Sequence, residues 1–190
     1  MFHMGWFVAQ GYGVHGWNQP WAGNIASDWI KPDIYVDLAR SLERACFDYI
    51  MLEDGQLVPD SYGSSSEWFL KSAWMVPKND PMPLVPLIGQ ATKNIGIVAT
   101  LTTSFYPPFI AARLAATLDH LTQGRLGLNI VTAHNDRSAQ NFGLDKHYDH
   151  DLRYEMADEW ITLMKQLWTS EEPVDFEGRY YTVKDRTSVV

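Results

Sequence analysis

The sequence predicts an α/β fold built on a parallel sheet. Three observations lead there. Short apolar runs of strand length alternate with helical patterns along the chain, and strands separated by helices pair in parallel through right-handed crossovers. The strand runs are short and bounded by Gly, Asp, Asn or Thr, and the last three are rich in Ile, Val and Leu, the composition of strands covered on both faces. The order of elements is β-α-β-α-β-α-β-α followed by a hairpin, within a single-domain length of 190 residues.

The first strand run is Met4 to Gln10. Pro32 then suits a first helical turn, where its missing N–H is no loss, and Ile34, Leu38, Leu42 and Ala45 follow at helical spacing. Tyr49 to Leu52, ending in Glu53-Asp54, is the second strand. Pro83 to Ala91 makes a short helix, and Ile95 to Leu101 is the third strand. Pro108 to Leu121 is a better helix, with Ala111, Ala115, Leu118 and Leu121 on one side and Gly124 as its stop signal. Leu126 to Thr132 is the fourth strand. Asp151 to Trp168 is the last long helix, with an apolar stripe of Met156, Trp160, Leu163, Met164 and Leu167. Val174 to Lys184 alternates around Gly178 and reads as a small hairpin. Two connections, Gly11 to Lys31 and Gly55 to Pro81, far exceed the roughly 2–6 residues of a structural βα loop. Both follow strands, at the end where α/β folds build ligand sites.

Composition excludes several function classes. The net charge is −8, with scattered Lys and Arg, which disfavours a nucleic-acid surface. One cysteine, Cys46, allows neither an internal disulfide framework nor a Cys-based zinc site; it reads as part of a packed helix end. The opening MFHMGWFVAQ lacks a basic n-region and a cleavage site, and no apolar run reaches the roughly 18 residues that span a bilayer. A soluble, cytoplasmic protein is expected. No GxSxG elbow provides an activated nucleophile.

Gly11-Tyr12-Gly13-Val14-His15-Gly16 fits GxGxxG after a strand. The dinucleotide fingerprint also needs a helix opening on those glycines. Here they run into Trp17-Asn18-Gln19-Pro20, so the segment reads as an active-site loop. His15 and Trp17 reach a site or sit idle in it, and Trp17, Trp21 and Trp29 wall a pocket or simply cluster. The tryptophans at 6, 68, 74, 160 and 168 read as core, and His120 as structural. His147 and His150 stand three apart beside Asp149 and Asp151, but without a complete ligand set the expectation is no metal.

The strand ends carry the chemistry. Strand two delivers Glu53-Asp54, strand three Thr100, Thr102, Thr103 and Ser104, and strand four Asn129, Thr132 and His134; the last long helix opens with His150-Asp151-Leu152-Arg153-Tyr154. On adjacent parallel strands these groups would converge on one rim. Carboxylate, hydroxyl and amide suit the edge of a flat polar ligand, and Arg at a helix N-terminus suits phosphate. The plainer alternative is that Asp54 and the threonines cap helices and turns.

These residues also carry a resemblance. Phe47-Asp48-Tyr49 through Glu53-Asp54, Ile95-Gly96 through Thr102-Thr103, Leu118-Asp119-His120-Leu121-Thr122-Gln123-Gly124-Arg125 through Thr132, and Asn141-Phe142-Gly143 followed by His150 to Tyr154 and Ala157-Asp158-Glu159-Trp160 resemble ordered motifs of the bacterial-luciferase-like flavin monooxygenases. The likeness is to the branch of nitrilotriacetate monooxygenase component A and dibenzothiophene-sulfone monooxygenase. It implies a (β/α)8 barrel of which residues 1–190 are about the first half, since a whole barrel takes about 250 residues. It implies FMN, reduced by a separate flavin reductase and used with O2 to oxygenate a small organic substrate. By motif position the flavin contacts would be Asp54, Thr100, Asn129, His134, His150, Arg153 and Tyr154, with His134 the proton-transferring or hydrogen-bonding catalytic residue.

Two features depart from the branch. Leu128 stands where it reads Trp, and the compact Thr169 to Tyr181 segment resembles the wider group that includes enzymes using F420. An F420-dependent oxidoreductase is therefore the alternative, and a truncated chain without catalysis a third. Half a barrel exposes sheet edges that invite pairing, which leaves room for a homo-oligomer.

Overall fold

The structure, a computed structural model, describes residues 2–8, 31–72, 75–76 and 78–184. Among these residues the elements are β1 (Gly5–Val8), α1 (Asp33–Arg44), β2 (Tyr49–Leu52), α2 (Glu67–Ser72), α3 (Leu84–Ala91), β3 (Gly96–Thr102), α4 (Pro108–Thr122), β4 (Leu126–Val131), α5 (Asp136–Gln140), α6 (His150–Thr169), β5 (Asp175–Glu177) and β6 (Thr182–Lys184). The first four strands form one sheet in the order β1-β2-β3-β4. β1 pairs with β2 and β2 with β3 in parallel, with Gly5 opposite Tyr49 and Tyr49 opposite Gly96. Between β3 and β4, the Ile97 N–H donates to the Arg125 carbonyl and the Thr103 N–H to that of Val131, each at 2.9 Å. Both partners advance together, as they do only in a parallel pair. Doubly wound sheets reverse their strand order at a switch point. Here each strand adds on the same side as the last, which is the winding of a (β/α)8 barrel. β5 and β6 are the expected hairpin, with Phe176 opposite Val183.

The chain folds as two compact units, Met1–Thr100 with Leu121–Asn129, and Leu101–His120 with Ile130–Val190. In the first unit, α1 buries Tyr35, Ala39 and Leu42 and packs against α3, which buries Val85 and Ile88. Ile50, Leu52, Ile97 and Ala99 are buried on β2 and β3. Gly89 of α3 permits a close approach, since a Cβ there would lie 2.7 Å from the Thr122 methyl. Two charged side chains tie the turns of this unit. Glu43 Oε1 accepts the N–H groups of Lys93, Asn94 and Ile95 at 2.9, 2.6 and 3.1 Å. Arg125 donates to the carbonyls of Gly89 (2.7 Å), Thr122 (2.9 Å), Ile95 (3.1 Å) and Thr92 (3.2 Å), and to the Thr92 hydroxyl (3.0 Å). That satisfies carbonyls around the end of α3, where a cation also meets the helix dipole favourably.

In the second unit, α6 buries Ala157, Trp160, Leu163, Met164 and Leu167. Trp160 and Trp168 donate their indole N–H groups to the carbonyls of Tyr106 (2.8 Å) and Ala112 (3.0 Å), so buried indoles are satisfied as they must be. Glu159 on the same helix accepts the N–H groups of Arg179, Tyr180 and Tyr181 at 2.9, 2.8 and 2.7 Å and holds the turn of the β5–β6 hairpin.

Several expectations are corrected. β4 is half-buried along its length and Ile130 is 37% exposed, not covered on both faces, because β4 ends the sheet order. Trp6 and Trp68 are exposed rather than core. Cys46 is exposed, at a left-handed φ of 61° after α1, instead of packed. The buried stripe of α1 is turned by one residue from the expected one, with Ala45 exposed. The connection Gly55 to Pro81 contains α2. The glycine-rich pattern, His15, Trp17, Trp21, Trp29 and Trp74 lie outside the described residues.

Candidate functional site

The first unit places three of the expected residues at the ends of neighbouring strands. Thr100 on β3 is 5% exposed. Its hydroxyl donates to the Leu52 carbonyl on β2 at 2.8 Å. With its proton committed there, its oxygen is left to accept, and Asn129 Nδ2 on β4 donates to it at 3.0 Å. This fixes the amide: Nδ2 faces Thr100 and Oδ1 lies at the other end. Asp54 follows β2, half-buried, and accepts from Gln56 Nε2 at 3.0 Å. Burial pushes its carboxyl above the usual range; the Lys78 charge opposes this and that of Asp80 adds to it. Lys78 Nζ lies 3.3 Å from Glu53 Oε1, with the two side chains only 12% and 26% exposed. Burial pulls the Lys78 ammonium below its usual value, against the pull of Glu53.

The second unit carries the rest. Beyond β4, Ser104 donates its hydroxyl proton to the Thr132 carbonyl at 2.6 Å. Ala133 then takes a left-handed φ of 55°, a conformation that costs a non-glycine residue about 1 kcal/mol and that recurs at functional turns. It precedes His134, which is exposed, and Asn135, whose side chain caps α5 by accepting the Arg137 N–H at 2.8 Å. His147 is buried beside the stacked rings of Phe105 and Phe142, whose centroids are 4.1 Å apart. Its Nδ1 accepts the Tyr148 N–H at 2.8 Å, which leaves the proton on Nε2. Burial, then the Arg153 charge, lowers its pKa.

The first turn of α6 presents the remaining three residues. His150 Nδ1 is 2.8 Å from Asp151 Oδ1, and its ring centroid is 4.9 Å from that of Tyr154. Arg153 Nη1 donates to the Tyr148 carbonyl at 2.7 Å. Its Nε is buried with no hydrogen-bond partner among the described residues. The Tyr154 side chain is exposed. An uncommitted guanidinium donor, a phenol and an imidazole on the first turn of a long helix form a donor set suited to an anion.

Thus Asp54, Thr100 and Asn129 come from three adjacent strands of one unit, and His150, Arg153 and Tyr154 share one helical turn of the other. His134 follows β4 in this second unit. Among the described residues no group of three His, Cys, Asp or Glu is placed to hold a metal. Sequence reasoning singled out Ser104 as a strand-end hydroxyl and His147 beside His150, and missed Lys78. Lys78 gave a faint signal as one of two basic residues, with Lys71, in a long connection after a strand that ends in two acids.

The luciferase-like monooxygenase family model matches residues 4–190. The chain belongs to that family. It is 37% identical over 170 residues to dibenzothiophene-sulfone monooxygenase of Rhodococcus erythropolis (strain XP), covering 88% of this chain and 37% of the relative. It is 37% identical over 172 residues to nitrilotriacetate monooxygenase component A of Aminobacter aminovorans, covering 87% and 37%. Among solved structures, a long-chain alkane monooxygenase superposes with a TM-score of 0.83 at 28% identity, covering 96% of this chain and 47% of that one. The first two relatives are of the branch expected from the motifs, and the chain spans about 37% of their length and 47% of the alkane monooxygenase. No helix among the described residues is long and apolar enough to cross a membrane.

Proposed function

We propose that the chain carries the N-terminal flavin-binding part of an FMN-dependent monooxygenase, which uses reduced FMN and O2 to oxygenate a small organic substrate in the cytoplasm. The observation that carries the reading is the set of acceptors at the strand ends: half-buried Asp54 after β2, and Asn129 oriented by the Leu52–Thr100–Asn129 hydrogen-bond chain. The monooxygenase names of relatives such as those from Rhodococcus and Aminobacter support it. The residues fit the cofactor. Arg153 Nε is a buried donor with no partner among the described residues, the kind of group a phosphate satisfies.

Reduced flavin supplies the electrons that activate O2. The protein's residues would bind, orient and protonate. Asp54 accepts hydrogen bonds from ligand N–H or O–H groups. Asn129, its amide already oriented by Thr100, offers Oδ1 as a preorganised acceptor. Arg153, Tyr154 and His150 hold the phosphate end. His134 transfers a proton or donates a hydrogen bond near the reacting atoms, a task suited to imidazole near neutral pH. A separate flavin reductase supplies the reduced cofactor.

A second reading is F420-dependent oxidoreduction. The observation favouring it is the short path from α6 into the Glu159-held hairpin. Anaerobic titration of the full chain with reduced FMN and with reduced F420 separates the two, and admission of O2 with an organic sulfide or sulfone reports oxygenation. FMN-selective binding is expected, weakened about tenfold or more by Asp54→Ala and about threefold by Tyr154→Phe, the scale of one charged and one neutral hydrogen bond. F420-selective binding would favour the second reading. Binding of neither by the folded chain would leave a non-catalytic role, and unchanged affinity in both variants would remove the site assignment.

A further inference from the structure

We propose that His147 is a phosphate-binding residue: its Nε2–H donates, together with Arg153 Nε, to the phosphate of FMN. The proposal deepens the reading of Arg153 as a phosphate contact and rests on it.

His147 is held from several sides. Its own N–H donates to Asp136 Oδ1 at 2.9 Å. Its ring centroid lies 5.5 Å from that of Phe105, and the residue is 5% exposed. The Tyr148 N–H donates to Nδ1 at 2.8 Å. A ring nitrogen that accepts carries no proton, so the proton is on Nε2. That buried N–H has no partner among the described residues. The Thr132 carbonyl lies near the ring. It accepts the Ser104 hydroxyl at 2.6 Å and does not complete a hydrogen bond with Nε2.

Tyr148 holds the second donor as well. It gives its N–H to His147 and takes the Arg153 Nη1 proton on its carbonyl, at 2.8 and 2.7 Å. One residue thus ties both side chains to the entry of α6, and each keeps a buried N–H in reserve. Among the described residues that are not exposed, these are the only two buried side-chain N or O atoms without a partner. Native folds hold few such groups, because an unmade buried hydrogen bond costs stability. Two of them on the same residue ask for a shared acceptor. The 20-residue helix α6 opens here, and Asp149 at its N-cap makes no side-chain cap bond, so the first-turn N–H groups add to the same polarity. The acid of that turn, Asp151, faces solvent, 98% exposed. Arg153 brings a full positive charge. A phosphate monoester, with three acceptor oxygens and a negative charge, answers several donors at once, where a single carbonyl answers one or two.

The test separates the ligand bond from the internal one and uses the full chain. In His147→Asn the amide oxygen can still accept the Tyr148 N–H, but no donor reaches the place of Nε2. In His147→Gln the amide nitrogen reaches it. Binding of FMN and of riboflavin is measured by fluorescence quenching. His147→Asn should bind FMN about tenfold more weakly, the scale of a hydrogen bond to a charged group, with riboflavin affinity unchanged. His147→Gln should recover most of the loss. In a second arm the ring nitrogens of His147 are followed by ¹H–¹⁵N NMR, assigned by their loss in His147→Asn. FMN, and inorganic phosphate at high concentration, should shift the Nε2 signal, and riboflavin should leave it in place. A His147→Asn variant that keeps the full preference for FMN over riboflavin overturns the proposal, as does an Nε2 signal that FMN leaves unmoved; Arg153 stays a phosphate contact if Arg153→Lys loses that preference. A wild-type chain that binds riboflavin as tightly as FMN removes the phosphate reading of Arg153, and the role of His147 with it. Should His147→Asn fail to fold, His147→Gln supplies the assignment and the wild-type NMR arm decides.

Discussion

Glu43 and Glu159 sit in different units, yet they are used alike, and Asp54 is used differently. Each glutamate stands on a helix and gathers three consecutive backbone N–H groups. For Glu43 the Asn94 N–H is the leading influence, and the donors together hold the carboxyl below its ordinary range against the opposing effect of burial. For Glu159 burial is the largest single influence, and the three donors together outweigh it. Asp54 is half-buried with fewer donors, and its carboxyl is pushed upward. The guanidiniums repeat the contrast. Arg125 commits all three nitrogens to the protein, whereas Arg153 keeps a buried Nε uncommitted. A charge spent on the chain's own backbone is structural. A charge kept partly unsatisfied, at some expense to stability, is available to a ligand.

The largest effect that tests this contrast is expected from Glu159→Ala, which strips the hairpin turn of its acceptor. Thermal unfolding should show a loss of about 2–3 kcal/mol, the scale of hydrogen bonds to a charged group. An unchanged melting temperature would break the comparison. Arg125→Lys should cost somewhat less, about 1–2 kcal/mol, because an ammonium reaches fewer of the carbonyls that the fork reaches. Arg153→Lys should be nearly neutral for stability and weaken phosphate-bearing flavin more than riboflavin.

The smallest stability effect is expected from Asp54→Asn, and its sign with pH is the sharpest test. Glu43 and Glu159 have depressed folded-state values, so their stabilisation is present above about pH 4.3 and is lost as pH falls through those lower values. Asp54 has a raised value, so its contribution is present below about pH 3.9 and is lost as pH rises through the raised value. Urea unfolding should therefore show Asp54→Asn equal to or slightly more stable than wild type at pH 7, with the advantage gone at pH 4. A variant less stable at pH 7 would mean that Asp54 is a structural acid after all.

Much of this was legible in the sequence, for reasons that differ by residue. Periodicity is local, so the long helices and the strand runs could be read directly; strand-end position gathered Asp54, Thr100 and Asn129 among other polar residues, and the family resemblance singled them out. Helix α2 escaped because it has only six residues, of which Trp68 and Leu70 are exposed and the buried pair, Phe69 and Ser72, has a single apolar member. Exposure of Trp6 and half-burial of β4 follow from their places at the two ends of the sheet order, which periodicity does not encode. Lys78 and His147 acquire meaning only through tertiary contacts, with Glu53 and with Phe105 respectively.

The strand order has a consequence for how the chain comes into being. In the four-stranded sheet, β2, β3 and β4 each pair with the strand just before them in the sequence, so each finds a partner that has already been synthesised. A chain emerging from the ribosome can add one β/α unit at a time, closing one loop per step and leaving a single growing edge. Pulse-labelled hydrogen exchange during refolding should then find amide protection arriving at the β1–β2–β3 register before it reaches β4.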